Sequence, residues 1–294
     1  MGELSLGLIF WALVALGAAA AGAYGLFFLQ RPPSLVRALV KTAFMSATAV
    51  ALISAHAPFP LVVAIVFAAL GDFFLAFKAK WTLPLGILAF LLAQLVYALM
   101  FGAIWFFSGD NAPLWPRYGA MIGIGLLLVS FLIWFWRTPD FKRAPISGAL
   151  AIATLVALGA CLPIILVSGL MYANGDAGSR AELAAYAPFG ALVLGAVVGG
   201  AVRRELGVLR LAAMICAGAI SMMAIVAMWL PWIGWPALVG ALCFLISDLV
   251  LAAELFRLPT DASSRRLTTP LVWWTYVAAQ TGIVAGVLLV AAGT

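Results

Sequence analysis

Charged side chains are scarce in this chain. Asp, Glu, Lys and Arg make up 9% of its 294 residues, whereas hydrophobic residues make up 66%. Soluble domains contain roughly 25% charged and 45–50% apolar residues, so this composition excludes an ordinary soluble fold. It indicates an all-α protein that spans a membrane, with residues 1–294 forming a single transmembrane domain and no separate soluble domain.

Cysteine and histidine are also rare. The three cysteines, Cys161, Cys216 and Cys243, are far apart in apolar segments and form no Cys-x-x-Cys motif, so we predict that they are small core residues. The single histidine, His56, lies just before Pro58 at the predicted outer end of a helix. Phosphate-binding glycine loops, nucleophile elbows and His-Glu-x-x-His motifs are absent from the sequence. We therefore expect no metal site and no cofactor.

Long apolar stretches fill the chain between Pro, Gly and charged breaks. A transmembrane helix needs about 20 apolar residues, and that length divides the sequence into about ten candidate spans. Their predicted ranges are 5 to 29, 35 to 56, 58 to 77, 82 to 107, 117 to 136, 146 to 171, 186 to 202, 209 to 230, 235 to 256 and 270 to 292.

The basic residues support this division. Thirteen of the 16 Lys and Arg fall at alternate connections: Arg31 and Arg37; Lys78 and Lys80; Arg137, Lys142 and Arg143; Arg203, Arg204 and Arg210; Arg257, Arg265 and Arg266. By the positive-inside rule these connections are cytoplasmic. The number of spans is then even and both termini face outward. The net charge of +6 therefore reports topology and gives no reason to expect nucleic acid.

Two similar strings each place an aspartate inside an apolar stretch. They are Gly71 to Ala76 (GDFFLA) and Ser247 to Ala252 (SDLVLA). A carboxylate in hydrocarbon is costly unless it is paired, protonated or facing a water-filled cavity. Asp72 and Asp248 are therefore candidate site residues, with a purely structural bond between helices as the alternative.

The two aspartates are predicted to share a depth. Asp72 lies six residues before Lys78 and Asp248 nine before Arg257, which at about 1.5 Å per residue places both roughly 9–14 Å from the cytoplasmic end. Lys41 enters its own helix to a comparable depth. The predicted site therefore lies toward the cytoplasmic leaflet. Glu254, close to the boundary, is predicted to be a solvated residue at the end of its helix.

Each aspartate helix is followed by a helix that carries a glutamine. Gln94 and Gln280 both lie fourteen residues beyond the last basic residue of the preceding loop, and Tyr276 lies one turn from Gln280 on the same face. The pattern indicates a weak parallel pseudo-repeat, although chance similarity is an alternative. Interhelical hydrogen bonding is the alternative role for Tyr276 and Gln280.

These segments resemble the YhhN-like family, which includes the bacterial and animal lysoplasmalogenases. The resemblance is carried by Lys41-Thr42, Leu70-Gly71-Asp72, Gly86 to Tyr97 (GILAFLLAQLVY), Gly240 to Phe256 (GALCFLISDLVLAAELF) and Tyr276 with Ala279-Gln280. Two departures are visible. Gln94 stands where the family commonly has His, and an extra pair of spans is inserted into the usual eight-span core before Met214 to Met228.

The resemblance implies a membrane-embedded hydrolase, in a bacterial inner membrane, that acts on a lysophospholipid. Such an enzyme cleaves the vinyl-ether bond of a lysoplasmalogen (alkenyl-glycerophosphocholine or -ethanolamine) to a fatty aldehyde and a glycerophospho-headgroup. We hypothesise that Asp72 and Asp248 are its acid and base, because two carboxyl groups in a low-dielectric site can remain one protonated and one ionised. Which is which stays open. The supporting or substrate-binding candidates are Lys41, Gln94, Tyr97, Ser247, Tyr276 and Gln280.

Transport is the second function class. Paired acids and midplane polar residues in a repeated motif are also typical of a proton-coupled carrier, or a binding protein, for a small or lipidic solute. A carrier should respond to a proton gradient, whereas a hydrolase should work in detergent. The headgroup and the oligomeric state are not predicted by the sequence.

Overall fold

The computed structural model describes residues 2–77, 82–108, 115–136, 208–256, 258 and 263–293. Within these ranges the chain forms eight α-helices and no strand. The helices are α1 (Gly2–Ala23), α2 (Leu35–Ser54), α3 (Phe59–Leu75), α4 (Thr82–Phe107), α5 (Trp115–Trp136), α6 (Val208–Ala227), α7 (Trp235–Phe256) and α8 (Arg265–Gly293). A π-helical turn, Tyr24–Phe28, extends α1, and a 3-10 turn, Trp232–Gly234, precedes α7.

The predicted helical segments within these ranges are confirmed as helices. Six are long and apolar enough to cross a membrane: Gly7–Phe28, Leu35–Ser54, Thr82–Phe107, Arg117–Trp134, Trp232–Phe256 and Arg265–Gly293. Helix α3 and the stretch Ala213–Ala227 of α6 are apolar but shorter. These helices indicate an integral membrane protein. The predicted spans 146 to 171 and 186 to 202 lie outside the described residues, so the count of ten and the outward termini stay predictions.

Local sequence signals set where several helices begin. Ser34 precedes α2, and its hydroxyl accepts a hydrogen bond from the Arg37 amide at 3.2 Å, as an N-cap serine does. Pro60 lies in the first turn of α3, where its missing N–H costs nothing. Between these helices His56 has a φ of 51°, so the only histidine forms part of the turn.

Seven of the described helices pack in a ring around the polar interior. Helix α1 packs on α2, α2 on α3 and α3 on α4. Helix α4 then contacts α6, and the ring continues through α7 and α8. The indole N–H of Trp273 on α8 closes it by donating to the Ala21 carbonyl of α1 at 3.1 Å. Helix α5 packs against α6 outside the ring. The ring gives the intramembrane polar residues an interior to face.

Polarity is distributed as expected for a protein surrounded by lipid. Large apolar side chains on the outside are widely exposed, including Leu8 at 70%, Phe59 at 77% and Trp232 at 76%. Asp72 and Gln94, by contrast, are buried. Charged and amide side chains inside a bundle are rare and usually face one another or a cavity.

Three arginines bind carbonyl groups at the C-terminal ends of helices. Arg37 donates to Phe28 and Ala76, Arg117 to Met228 and Leu230, and Arg265 to Glu254 and Leu258. The final carbonyls of a helix lack intrahelical partners and carry partial negative charge, so a cation there is stabilising. Arg37 and Arg265, which mark topology in the sequence, therefore also fasten the ends of helices to one another.

Helices α7 and α8 approach closely because glycines line their contact. A methyl group built on Gly240 would lie 2.6 Å from the Ala279 carbonyl oxygen and 2.7 Å from the Ile283 nitrogen. On the facing helix, a methyl group on Gly282 would lie 2.8 Å from the Pro236 oxygen. Small residues allow this backbone contact between membrane helices.

Gly240→Ala is therefore expected to destabilise the protein by about 1–3 kcal/mol, the usual cost of overpacking. The backbone atoms it would strike cannot move without shifting α8. The measurement is the midpoint of unfolding in a denaturing detergent titration. Gly123→Ala is the matched control, because no atom lies within 4 Å of the added methyl group. Equal midpoints for the two variants would contradict the packing argument.

Candidate functional site

A cavity of about 650 Å³ opens between α2, α3, α7 and α8. Eight of its residues fall in two layers, two from each helix. The inner layer is Lys41, Asp72, Asp248 and Tyr276, and the outer layer is Arg37, Ala76, Glu254 and Thr269. Within each helical segment the residues of the two layers are four to seven positions apart in sequence, which corresponds to about 6–10 Å along a helix. The predicted sharing of one site by Lys41, both aspartates and Tyr276 thus has a geometric basis.

Asp72 is held by two groups from other helices. Its Oδ1 lies 2.9 Å from the Lys41 Nζ of α2, and its Oδ2 accepts a hydrogen bond from the Tyr276 hydroxyl of α8 at 2.8 Å. Asp72 is 1% exposed and the Lys41 side chain 15%. A buried carboxylate with a cation and a hydroxyl donor satisfies the requirement for charge inside a membrane.

Asp248 has a different environment. Its Oδ2 accepts from the Gln94 Nε2 of α4 at 2.5 Å, and among the described residues it has no salt bridge. The side chain is partly exposed and also borders a small apolar pocket of about 50 Å³ beside Cys216. Gln94 therefore contacts the site through Asp248.

The two aspartate hairpins support each other reciprocally. Asp72 on the α3–α4 hairpin is bound by Tyr276 of α8, and Asp248 on the α7–α8 hairpin is bound by Gln94 of α4. Each acid is thus positioned by the returning helix of the other hairpin. The exchange has the pattern that a pseudo-repeat around a shared centre would produce.

Three further predicted residues lie at contacts between helices. The Tyr97 hydroxyl donates to Gln280 Oε1 at 2.6 Å, and both side chains are fully buried and do not line the cavity. Ser247 lines the cavity, but its hydroxyl donates to the Val272 carbonyl of α8 at 2.9 Å. These contacts favour the interhelical role for Tyr97, Ser247 and Gln280. Among the described residues, Gln94 Oε1 and Gln280 Nε2 have no hydrogen-bond partner.

The prediction that Glu254 is solvated is wrong. Its side chain is 6% exposed, and its Oε1 accepts from the hydroxyls of Thr268 and Thr269, the latter at 2.9 Å. The first turn of α8 therefore covers a residue that proximity to the membrane boundary would leave in water. Helical spacing was the available signal, since Asp248, Leu251 and Glu254 follow at intervals of three and all line the cavity.

Aromatic side chains form one wall of the cavity, and only Tyr276 among them is a site residue predicted from the sequence. Tyr24, Phe90, Trp273 and Tyr276 line it. The Tyr276 ring centroid lies 5.8 Å from those of Phe90 and Trp273, and the Tyr24 and Trp273 centroids are 4.4 Å apart. The π-helical turn places Tyr24 in this wall.

The part of the chain that matches a known family includes the C-terminal helices, with their Ser-Asp and Tyr-x-x-x-Gln patterns. A model of the YhhN family matches residues 164–287. Over this C-terminal range the chain is similar to the YhhN family. The YhhN match includes Ser247, Asp248, Tyr276 and Gln280, and the predicted resemblance is confirmed over this range. Helices α2 to α4, with Lys41, Asp72 and Gln94, precede it.

No curated protein and no solved structure matches the chain. In the described part of the YhhN-like chain, no group of three or more His, Cys, Asp and Glu side chains could hold a metal ion.

Proposed function

We propose that this protein hydrolyses the vinyl-ether bond of a lysolipid, with Asp248 as general acid and Asp72 as its ionised partner. The observation that carries the proposal is the unequal environment of two carboxyl groups that line one intramembrane cavity. A pair of titratable groups with contrasting surroundings is the usual basis for dividing acid and base roles.

The roles follow from the hydrogen-bond partners. The Lys41 ammonium and the Tyr276 hydroxyl both favour an ionised Asp72. Asp248 receives a neutral amide donor and faces the cavity, so its carboxyl group can hold a proton and deliver it to a bound molecule. Gln94 fixes the orientation of that carboxyl group.

Vinyl-ether hydrolysis would use this arrangement in three steps. Asp248 donates its proton to the vinyl carbon distal to the ether oxygen, which leaves an oxocarbenium ion. Water then loses a proton to the Asp248 carboxylate as it adds to the cationic carbon, giving a hemiacetal. The hemiacetal hydroxyl loses its proton while the glycerol oxygen gains one, and the C–O bond breaks to release aldehyde and alcohol. One water is consumed, and Asp248 is again protonated.

The surroundings of the two acids suit a cationic intermediate. The Asp72 carboxylate supplies negative charge, as the second carboxylate does in glycoside hydrolysis. The π-faces of Trp273 and Tyr276 also attract cations within about 6 Å of a ring centroid. Most residues that line the cavity are apolar, and charges interact more strongly in a low-dielectric site than in bulk solvent.

Access from the bilayer is supported by the cavity lining. Leu255 borders both the main cavity and the small apolar pocket and is 43% exposed. Leu75, Phe90 and Leu251 are also shared by the two cavities. A hydrocarbon chain lying against these residues would approach Asp248, which is the position that the bond next to the chain has to reach.

The test is aldehyde release by purified protein in detergent. We expect release from a lysoplasmalogen and none from its saturated alkyl-ether analogue, because only the vinyl ether can be protonated at carbon. Activity in detergent micelles, where no proton gradient exists, would also argue against obligatory transport coupling. Absence of release from both lipids by folded protein would refute the proposal and favour a carrier.

A further inference from the structure

The outer layer of the cavity contains one cation and one carboxylate that the hydrolytic steps do not use. Arg37 and Glu254 both line the cavity, about one to two helical turns outside the acids. Neither forms a salt bridge with another described residue. The Glu254 carboxylate is bound by hydroxyl groups, and the Arg37 guanidinium by two carbonyl groups and the Tyr24 ring, 5.6 Å from its centroid. Neither group therefore pairs with an opposite full charge within the described structure.

Arg37 has donors to spare. Its Nε donates to the Phe28 carbonyl at 3.2 Å and its Nη1 to the Ala76 carbonyl at 3.1 Å. A guanidinium group has five N–H donors, so these two bonds fix the plane of the group and leave further donors. Orientation of a guanidinium by fixed carbonyls prepares it for a phosphate, which it prefers to bind through two parallel bonds.

Glu254 has an acceptor to spare. The hydroxyls of Thr268 and Thr269 both donate to Oε1, and no hydrogen bond to Oε2 comes from the described residues. The side chain is held at the first turn of α8 yet lines the cavity. A carboxylate oriented in this way is suited to an ammonium group.

We propose that Arg37 and Glu254 form the headgroup subsite and select a zwitterionic phospholipid, with Arg37 binding the phosphate and Glu254 the ammonium group. The inference rests on the proposed function of the same cavity. A purely anionic headgroup would bring its charge toward Glu254 without compensation, and an uncharged one would leave both residues unpaired. The outer layer then determines which headgroups bind.

The experiment compares three substrates with one alkenyl chain: the glycerophosphoethanolamine, the glycerophosphate and the glycerol. Glu254→Gln should lower kcat/KM for the ethanolamine lipid by about 10- to 100-fold, the range for a hydrogen bond to a charged group, and leave the glycerophosphate unchanged or improved. Arg37→Gln should lower kcat/KM for both phospholipids and leave kcat/KM for alkenylglycerol unchanged. Arg31→Gln is the control, because that exposed cation lies over the Phe28 ring outside the cavity.

Equal losses on all three substrates in Glu254→Gln would overturn the inference while the hydrolase proposal stands. In Glu254→Gln the side-chain amide oxygen can still accept the hydrogen bonds of the two threonines, so the fold should be kept. If Arg37→Gln does not fold, Arg37→Lys replaces it in the same comparison.

Failure of the wild type to cleave any lipid would defeat the proposed function instead, and binding would then decide the inference. Native mass spectrometry with saturated alkyl-ether lipids should show Glu254→Gln losing its preference for the ethanolamine lipid over the glycerophosphate. An unchanged preference would refute the subsite. Soluble glycerophosphoethanolamine should compete at the same residues if the subsite accepts the headgroup without its chain.

Discussion

Replacing Asp248 by Asn is expected to lower the rate of aldehyde release by about 10²–10⁴-fold, the contribution of a positioned general acid. Asn retains the shape of Asp and can still accept the Gln94 hydrogen bond, but it has no proton to give to carbon. Asp72→Asn should cause a loss of similar order, because the cationic intermediate would lose its counter-charge. The measurement is initial rate in detergent at saturating and limiting lysoplasmalogen.

The control is Ser221→Ala. Ser221 is fully buried on α6, donates to the Ala217 carbonyl and does not line the cavity, so its loss tests the effect of removing any intramembrane polar group. Each variant should also elute as a folded species in size-exclusion chromatography. Full activity in both folded Asn variants would show that the aspartates are structural and the proposed mechanism wrong.

Lys41→Met is expected to destabilise the protein by about 3–5 kcal/mol, the cost of leaving one partner of a buried ion pair without the other. Asp72 is 1% exposed and its salt-bridge partner is Lys41 at 2.9 Å. In the single variant the carboxylate would remain in a low-dielectric interior with only the Tyr276 hydroxyl. The double variant Lys41→Met with Asp72→Asn should regain most of the loss, since no charge is then buried there.

Unfolding midpoints of the four proteins in this double-mutant cycle give the coupling energy. Arg31→Met is the matched control for removing a cation, because Arg31 is exposed and its guanidinium stacks on Phe28. Strict additivity of the two substitutions would show that the ion pair contributes nothing to stability. Activity should stay low in the double variant even where stability returns.

The sequence predicts well whatever depends on local hydrophobicity and helical rise. Apolar runs predict the helical segments, and depth counted from the basic loops predicts that Lys41, Asp72, Asp248 and Tyr276 meet. That arithmetic works because a membrane helix runs almost straight from a known boundary, so residue number converts directly into depth. The proposed reaction comes from the resemblance to the YhhN family, because the spacing of apolar residues carries no information about a substrate.

The features of the site that the sequence does not predict depend on contacts between helices that are far apart in the sequence. Gln94 binds Asp248, 154 residues away, and not the aspartate of its own hairpin. Helix α6 lies between α4 and α7 in the ring, so this contact depends on how the ring closes around its interior. Glu254 is buried because two threonines of the next helix cover it, although its position in the sequence suggests water. Arg37 is counted as a topology marker, yet it also binds two helix ends and lines the cavity.

The Lys41–Asp72 contact has a consequence for how the chain enters the bilayer. Its two residues lie on consecutive helices, so α2 and α3 can leave the translocon as a hairpin whose opposite charges already neutralise each other. Asp248 has no charged partner on a consecutive helix among the described residues. Its hydrogen-bond donor, Gln94, lies on α4, which is inserted much earlier than α7. Tyr276 arrives last of all. The nascent protein therefore carries an incomplete site, and the proposed hydrolysis can begin only when α8 has joined the bundle.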